Sequence, residues 1–353
     1  MPDWMQSMSQ TFEYYKVDPG TWRDAKRLDN ITASSITRDA DAETLGSASF
    51  DVVGEMEECY VRTYLVIRQN GITERFPLGT HLVSSPSSTF DGKITTVTAD
   101  AYTPLIELKD AIPPLGYSIL KESNVMKEAY LICREKIRAP IVQTTCEEKL
   151  YSDFVANTND TWISFISDLV YKAKYKPGLD EKGRVIFLPR QDLAALQPVW
   201  TYNDNNSSIL YPEITCDHDL YGIPNVVEVV YSNGRDSYYA KVVNDDKNSP
   251  TSTVRRGREI VYRVTDPGFS GIPTDKQIQL YAKELLRQLS SVEYTISYSH
   301  GYCPVRLDDC VRLNYERAGL KNIKAKVIYQ SIKCEAGCQV SEKAVYTKKL
   351  WEG

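Results

Sequence analysis

A chain of 353 residues is too long for one small core, so two or three domains of ordinary size are expected. A quarter of the residues are charged, yet the net charge is only −5 and the isoelectric point is about 5.5, which excludes the clustered basic surface of a duplex-binding protein. The 24 tyrosines against eight phenylalanines point to half-exposed strands and interfaces, where one end of a ring is dry and the other wet.

The opening MPDWMQSMSQ has neither a basic head nor an apolar run, and no later stretch approaches the roughly 20 apolar residues of a membrane helix. The expectation is a protein made and matured in a cytoplasm, with its eight scattered cysteines reduced, Cys334 and Cys338 beside a turn included. The first 115 or so residues read as β. In SITRDADAETLGSASFDV two strands flank a turn at 39–44; Gly46, Ala48, Phe50 and Val52 share one face of the second strand, and Ser47, Ser49 and Asp51 share the other. YVRTYLVIRQNGITERFPL holds two runs around Asn70-Gly71, a strong hairpin signal, and Asp91-Gly92 launches KITTVTADAY.

From about residue 118 the period changes to that of helices. Residues 124–138 carry Val125, Ala129 and Ile132 at helical spacing; residues 160–175 carry a cleaner stripe of Trp162, Ile163, Ile166, Leu169, Val170 and Ala173, with Asp160 placed as cap. After Trp200 strands return. They are interrupted by one helix over 274–290, where Thr274 and Gln277 have capping-box spacing and Ile278, Tyr281, Ala282, Leu285, Leu286 and Leu289 form the apolar face. In VRLNY, Val311, Leu313 and Tyr315 point one way, and the alternation slips by one at Val327-Ile328, as at a bulge. The pattern predicts a mainly β, α+β chain: a first β region over 1–117 that closes into a small barrel or a sandwich, an α/β module over 118–200 with 270–292, and a second β region over 201–269 with 293–353. Packing of both helices in one module would place Trp162 and Leu285 in the same core.

Catalytic chemistry is not apparent. There are three histidines, His81, His218 and His300. Cys216, Asp217, His218 and Asp219 are neighbours on one loop and cannot converge tetrahedrally on zinc, which draws ligands from separated pairs. His300 and Cys303 have the residue types of a Cys–His pair, but no oxyanion motif or orienting partner accompanies them. PGFSGIP, around Ser270, misses the G-x-S-x-G nucleophile elbow because Ile272 stands at the last position. Glu55, Glu57 and Glu58, and Asp308-Asp309, read as solvated turn charges rather than a glycosidase pair. No catalytic, cofactor-binding or metal-ligating residue is assigned, and no cofactor is expected.

The order of the strings ITASSITRDADAETLGSASFDV, LYGIPNVVEVVYSNG, YAKVVNDDKNSPTSTVRRGREI, TDKQIQLYAKELLRQL and YCPVRLDDCVRLNY resembles the tail hub and baseplate hub proteins of long-tailed bacteriophages. The resemblance covers about residues 10 to 350, and its specificity lies in the order of the strings. Asp308-Asp309 stands where the family more usually has Gly-Asp, which leaves the turn type open. The resemblance implies that each β region is a barrel domain, giving two tube-like barrels per subunit with an α/β module between them. It also implies a structural, non-enzymatic homotrimer at the distal end of a tail tube, located in the virion and assembled in the host cytoplasm. Implied partners are a tail tube or distal tail protein, a separate tip, spike or fibre protein, and a tape-measure protein or DNA passing through the lumen. A particle-borne cell-wall hydrolase and a hexameric distal tail or adaptor protein are the alternatives. A lumen lining should be polar, small and neutral to acidic, and Ser47, Ser49 and Asp51 fit one; they equally fit an ordinary solvated face.

Overall fold

The computed structural model describes residues 2–205, 208–232, 235–265, 267–269 and 272–353. Seven strands come first: β1 (Ser9–Asp18), β2 (Arg23–Arg27), β3 (Ile31–Asp39), β4 (Gly46–Val53), β5 (Tyr60–Gln69), β6 (Ile72–Phe90) and β7 (Thr95–Tyr102). Between β5 and β6, Asn70 and Gly71 take φ of 50° and 79°, the left-handed pair that a two-residue hairpin needs, and Gln69 faces Ile72 across it. Before β7 the Asp91 carboxylate accepts the backbone N–H groups of Ile94 and Lys93 at 2.8 Å each, and those donors hold its carboxyl below the usual range.

Next come α1 (Ile106–Asp110), β8 (Ser118–Ile119), α2 (Val125–Lys136), β9 (Phe154–Val155), α3 (Trp162–Lys172), β10 (Tyr175–Leu179) and β11 (Val185–Pro189). Asn124 caps α2 by accepting the Lys127 N–H at 2.9 Å. The cap of α3 is Thr161, not Asp160: Thr161 and Ser164 form a reciprocal box, while the Asp160 carboxylate accepts the Asn157 N–H at 2.8 Å and closes the preceding turn. Tyr175, expected at the end of this helix, instead opens β10. The α3 stripe is buried and shares one core with Val125, Ala129 and Ile132 of α2 and with Val17, Trp22, Tyr60 and Leu82 of the first strands. That core runs through the expected boundary at residue 117.

The rest of the chain holds β12 (Trp200–Asn203), β13 (Leu210–His218), β14 (Val226–Ser232), β15 (Ser237–Val243), α4 (Thr253–Arg256), β16 (Val261–Val264), α5 (Asp275–Leu289), β17 (Ser291–Gly301), β18 (Cys310–Tyr315), β19 (Leu320–Lys333) and β20 (Gln339–Lys349). The chain is mainly β. Its largest sheet orders the strands β13-β17-β20-β19-β3-β4-β7-β6-β5-β1-β2, with β18 on β19 and β12 on β18. β19 has two partners along one edge. Residues 320–326 pair with β18 and residues 329–333 with β3; the burial alternation slips at Ile328 and Tyr329, where the strand exchanges one partner for the other. The slip expected at Val327-Ile328 thus has a topological cause. Asp308, in the turn before β18, takes φ of 70°, the left-handed conformation that suits the glycine of the resembling family and that Asp tolerates better than most residues.

Two compact units are present, Met1–Ile214 with Tyr298–Ala344 and Thr215–Ser297 with Val345–Gly353. The first holds a second core, built on Ile36, Phe50, Leu65, Val83, Ala99 and Ile332. The second holds a three-stranded sheet, β15-β14-β16, that carries α5. The capping box of α5 forms as its spacing predicts: Thr274 Oγ1 accepts the Gln277 N–H at 3.3 Å and Gln277 Oε1 accepts the Thr274 N–H at 2.8 Å. Ile278, Ala282 and Leu286 are fully buried against Val227, Val229 and Ala240, with Tyr281, Leu285 and Leu289 partly buried beside them. Trp162 and Leu285 therefore lie in separate cores, which corrects the expectation of one shared helical module. An apolar stripe demands a partner without naming it, and the strands that cover α5 are β14 and β15, which precede it in the chain by some thirty residues or more.

All eight cysteines are free thiols, and burial pushes Cys334 up to about 11. Among the described residues, no helix is long and apolar enough to cross a membrane. Replacing Leu286 by Ala should cost about 2–5 kcal/mol in urea denaturation, and Leu285→Ala distinctly less. Equal costs at the two positions would contradict this packing of α5.

Candidate functional site

The polar face of β4 extends well beyond Ser47, Ser49 and Asp51. Antiparallel partners directly opposite each other project to the same face, so the register defines a surface. Ser47 lies between Thr37 and Tyr102, Ser49 between Ser35 and Asp100, and Asp51 between Ala33 and Thr98. On β6, Ser87 and Thr89 continue it opposite Thr98 and Thr96; on β19, Ser331 and Lys333 do so opposite Thr37 and Ser35. Thr98 Oγ1 donates to Asp51 Oδ1 at 2.9 Å. Five neighbouring strands thus present small hydroxyl side chains, and among the described residues of this paired patch Asp39, Asp51 and Asp100 stand with the cation Lys333, while the opposite face of the same strands forms the second core. The alternation in KITTVTADAY carried the signal for Thr96, Thr98 and Asp100. The contribution of β19 is a long-range pairing that no local pattern reveals.

The structure also brings His300 and Cys303 together, and it supplies the orienting partner that their own neighbourhood lacks. His300 Nε2 lies 3.1 Å from the Tyr202 hydroxyl and 3.4 Å from Glu342 Oε2, and Cys303 Sγ lies 3.9 Å from His300 Nδ1. Tyr298 donates to Glu342 Oε1, and Gln330 Nε2 donates to Glu342 Oε2 at 2.6 Å. Burial, and next the Glu342 charge, push the Tyr202 and Tyr298 hydroxyls well above their ordinary pKa. A thiol, an imidazole and a carboxylate are the groups of nucleophilic catalysis, yet here all three are at most 1% exposed, and Nδ1, the ring nitrogen nearer the sulfur, donates to the Gly301 carbonyl at 2.7 Å. What this arrangement does is hold a buried ion pair among satisfied hydrogen bonds.

The other candidates stay apart. Cys216, Asp217, His218 and Asp219 are exposed at the end of β13; His218 stacks on Tyr294 at 4.5 Å and 17°, and Asp219 accepts the Tyr221 N–H at 2.7 Å. Glu55, Glu57 and Glu58 are exposed. Asp308 pairs with Lys176 and Lys326, and Asp309 accepts the Arg306 N–H at 2.8 Å, so the two acids serve different partners. Ser270 and Gly271 of PGFSGIP lie outside the described residues. Among the described residues, no group of three or more His, Cys, Asp or Glu is arranged to hold a metal ion.

No protein-family model matches the chain, and no curated protein matches its sequence. Solved structures do. A tail protein from Neisseria meningitidis MC58 is similar with a TM-score of 0.61 and 14% identity over 96% of both chains. The 43 kDa tail protein of prophage MuSo2 from Shewanella oneidensis also reaches 0.61, at 12% identity over 95% of this chain and 98% of its own. A chain of the Francisella PdpA-VgrG complex reaches 0.54 at 10% identity, over 96% of this chain and 58% of that one. At such identities the likeness is one of fold. The chain has the fold of phage tail proteins, and it has it along nearly its whole length.

The buried ion pair makes stability depend on pH in a definite direction. Burial opposes a charge on His300, but its bonds to Cys303 and Glu342 outweigh that and raise its pKa from 6.5 to about 10. Because the folded-state value lies above the unfolded one, the stabilisation is complete below about pH 6.5 and is lost as pH rises towards about 10. Urea denaturation across that range should show falling stability. Glu342→Gln should flatten the slope and cost about 3–5 kcal/mol near neutrality; a wild-type profile that is already flat would contradict the charged pair.

Proposed function

We propose that the chain is a structural tail protein of a phage or phage-tail-like particle: a hub that closes the distal end of the tail tube as a homotrimeric ring of pseudo-sixfold symmetry. The observation that carries this reading is the likeness of fold along 96% of the chain to a tail protein that is itself matched over 96% of its length. In this reading the β region over 1–117 and that over 201–269 with 293–353 each supply one tube-like barrel. Three copies then place six barrels around one axis and adapt a sixfold tube to a threefold tip. The partners are a tube or distal tail protein on one side and a separate tip, spike or fibre protein on the other, and the protein resides in the virion. It needs no catalytic residue and no cofactor.

The hydroxyl face supports the ring reading because DNA or a tape-measure protein must pass such a lumen without sticking. Small hydroxyls with a slight acidic excess offer phosphates no counterion-releasing contacts, whereas clustered cations would. Placing lysines at Ser49, Thr98 and Ser87 tests this. All three positions are at least partly exposed, so stability should change by no more than about 0.5 kcal/mol each. Tails should assemble, and DNA delivery should fall about tenfold or more, with recovery at raised salt. Normal delivery by assembled tails carrying all three lysines would count against a lumen-facing surface.

A further inference from the structure

A cavity of about 200 Å³ lies in the first unit between β3, β6, the β10–β11 hairpin and the 306–309 loop. Its walls are largely apolar, with Ile36, Leu45, Leu78, Leu179, Ile186 and Leu188 among them. Two polar side chains in these walls are not accounted for by the packing. Arg38 donates only to neutral acceptors, Gln330 Oε1 at 2.9 Å and the Leu78 carbonyl at 2.8 Å, and has no ion pair among the described residues. The other cations around the cavity each have a carboxylate partner: Arg306 has Glu181, Arg184 has Asp180, and Lys176 and Lys326 share Asp308. Burial pushes the Asp309 carboxyl above the usual range, and its Oδ2 accepts the Arg306 N–H at 2.8 Å.

Among the described residues Arg38 is thus a cation of these walls with no carboxylate in contact, and its field is felt nearby: after burial itself, it helps to lower the pKa of both Arg306 and His81. His81 is 3% exposed, and its Nδ1 has no hydrogen-bond partner. Burial and Arg38 bring its pKa down to about 3, so the ring is neutral and offers one N–H donor and one acceptor. Gly79 makes room for it, since a Cβ there would stand 2.6 Å from His81 Cε1. An unpaired guanidinium and an under-bonded imidazole beside apolar walls are the polar anchors of a small amphiphilic anion.

We propose that this cavity binds a small organic carboxylate, its charged end on Arg38 beside His81 and a short hydrocarbon body against the apolar walls. The volume equals about six or seven waters at ~30 Å³ each, which limits the ligand to roughly ten heavy atoms or fewer. This site does not depend on the tail assignment. Its test is calorimetric titration of the full chain with hexanoate, with 1-hexanol and acetate as controls for charge and for chain. Hexanoate should saturate a single site, and each control should bind at least about tenfold more weakly, the loss expected when either the charge-assisted bond or the apolar contact is missing. Arg38→Met should lose hexanoate by a similar factor. Because Arg38 also bonds Leu78 and Gln330, Leu188→Trp provides a second variant that fills the cavity and leaves Arg38 in place, and it decides the matter if Arg38→Met does not fold. Absence of saturable hexanoate binding at millimolar concentration, equal binding of 1-hexanol, or binding that survives Leu188→Trp would overturn the proposal and leave a cavity that holds water only.

Discussion

The pairing of β19 with β3 is the contact on which the first unit depends. It joins residues 329–333 to residues 35–39, across most of the length of the chain, and its register seats Ile332 opposite Ile36 and Gln330 opposite Arg38. Ile332 and Ile36 are both in the second core. Closing so long a loop costs entropy before any contact repays it, so such a pairing persists only where many side chains agree on one register. Here they do. Gln330 is fixed from three sides, by Arg38, by the Val305 carbonyl at 3.0 Å and by Glu342 at 2.6 Å.

The buried network around Glu342 gives that register its specificity. Removing a carboxylate and an imidazole from water is expensive, and it is tolerable only because Tyr202, Tyr298, Gln330 and His300 all reach Glu342. A one-residue slip of β20 would turn Glu342 to the other face and bring an unmatched side chain in. The same arrangement explains how Cys303 can sit beside a histidine without being a reactive group: the thiol is sealed, and the imidazole is occupied by structural bonds. The polar interior fixes the sheet, and the sheet in turn presents the hydroxyl face.

Local features of this fold were legible in the sequence. Asn70-Gly71, the Thr274–Gln277 box and the alternation of β4 each report backbone chemistry confined to a few residues, and each is found as expected. The cap of α3 was displaced by one residue because Asp160 and Thr161 are both good caps, and only the reciprocal bond to Ser164 separates them. Long-range choices were not legible. Nothing near His300 announces Glu342, and nothing in the stripe of α5 announces β14 and β15. The resemblance to tail proteins succeeded at the level of fold because the order of elements survives where identity has fallen to 14%.

In the proposed reading, this chain is the ring-forming hub of a tail. Copy number per ring in an assembled tail, read from a cryo-electron microscopy map, tests it most directly. Three copies around the tail axis, each giving two β regions to one annulus and turning Ser49 and Thr98 towards the channel, is the predicted result. Six copies per ring, or one copy supplying a single barrel, would contradict it.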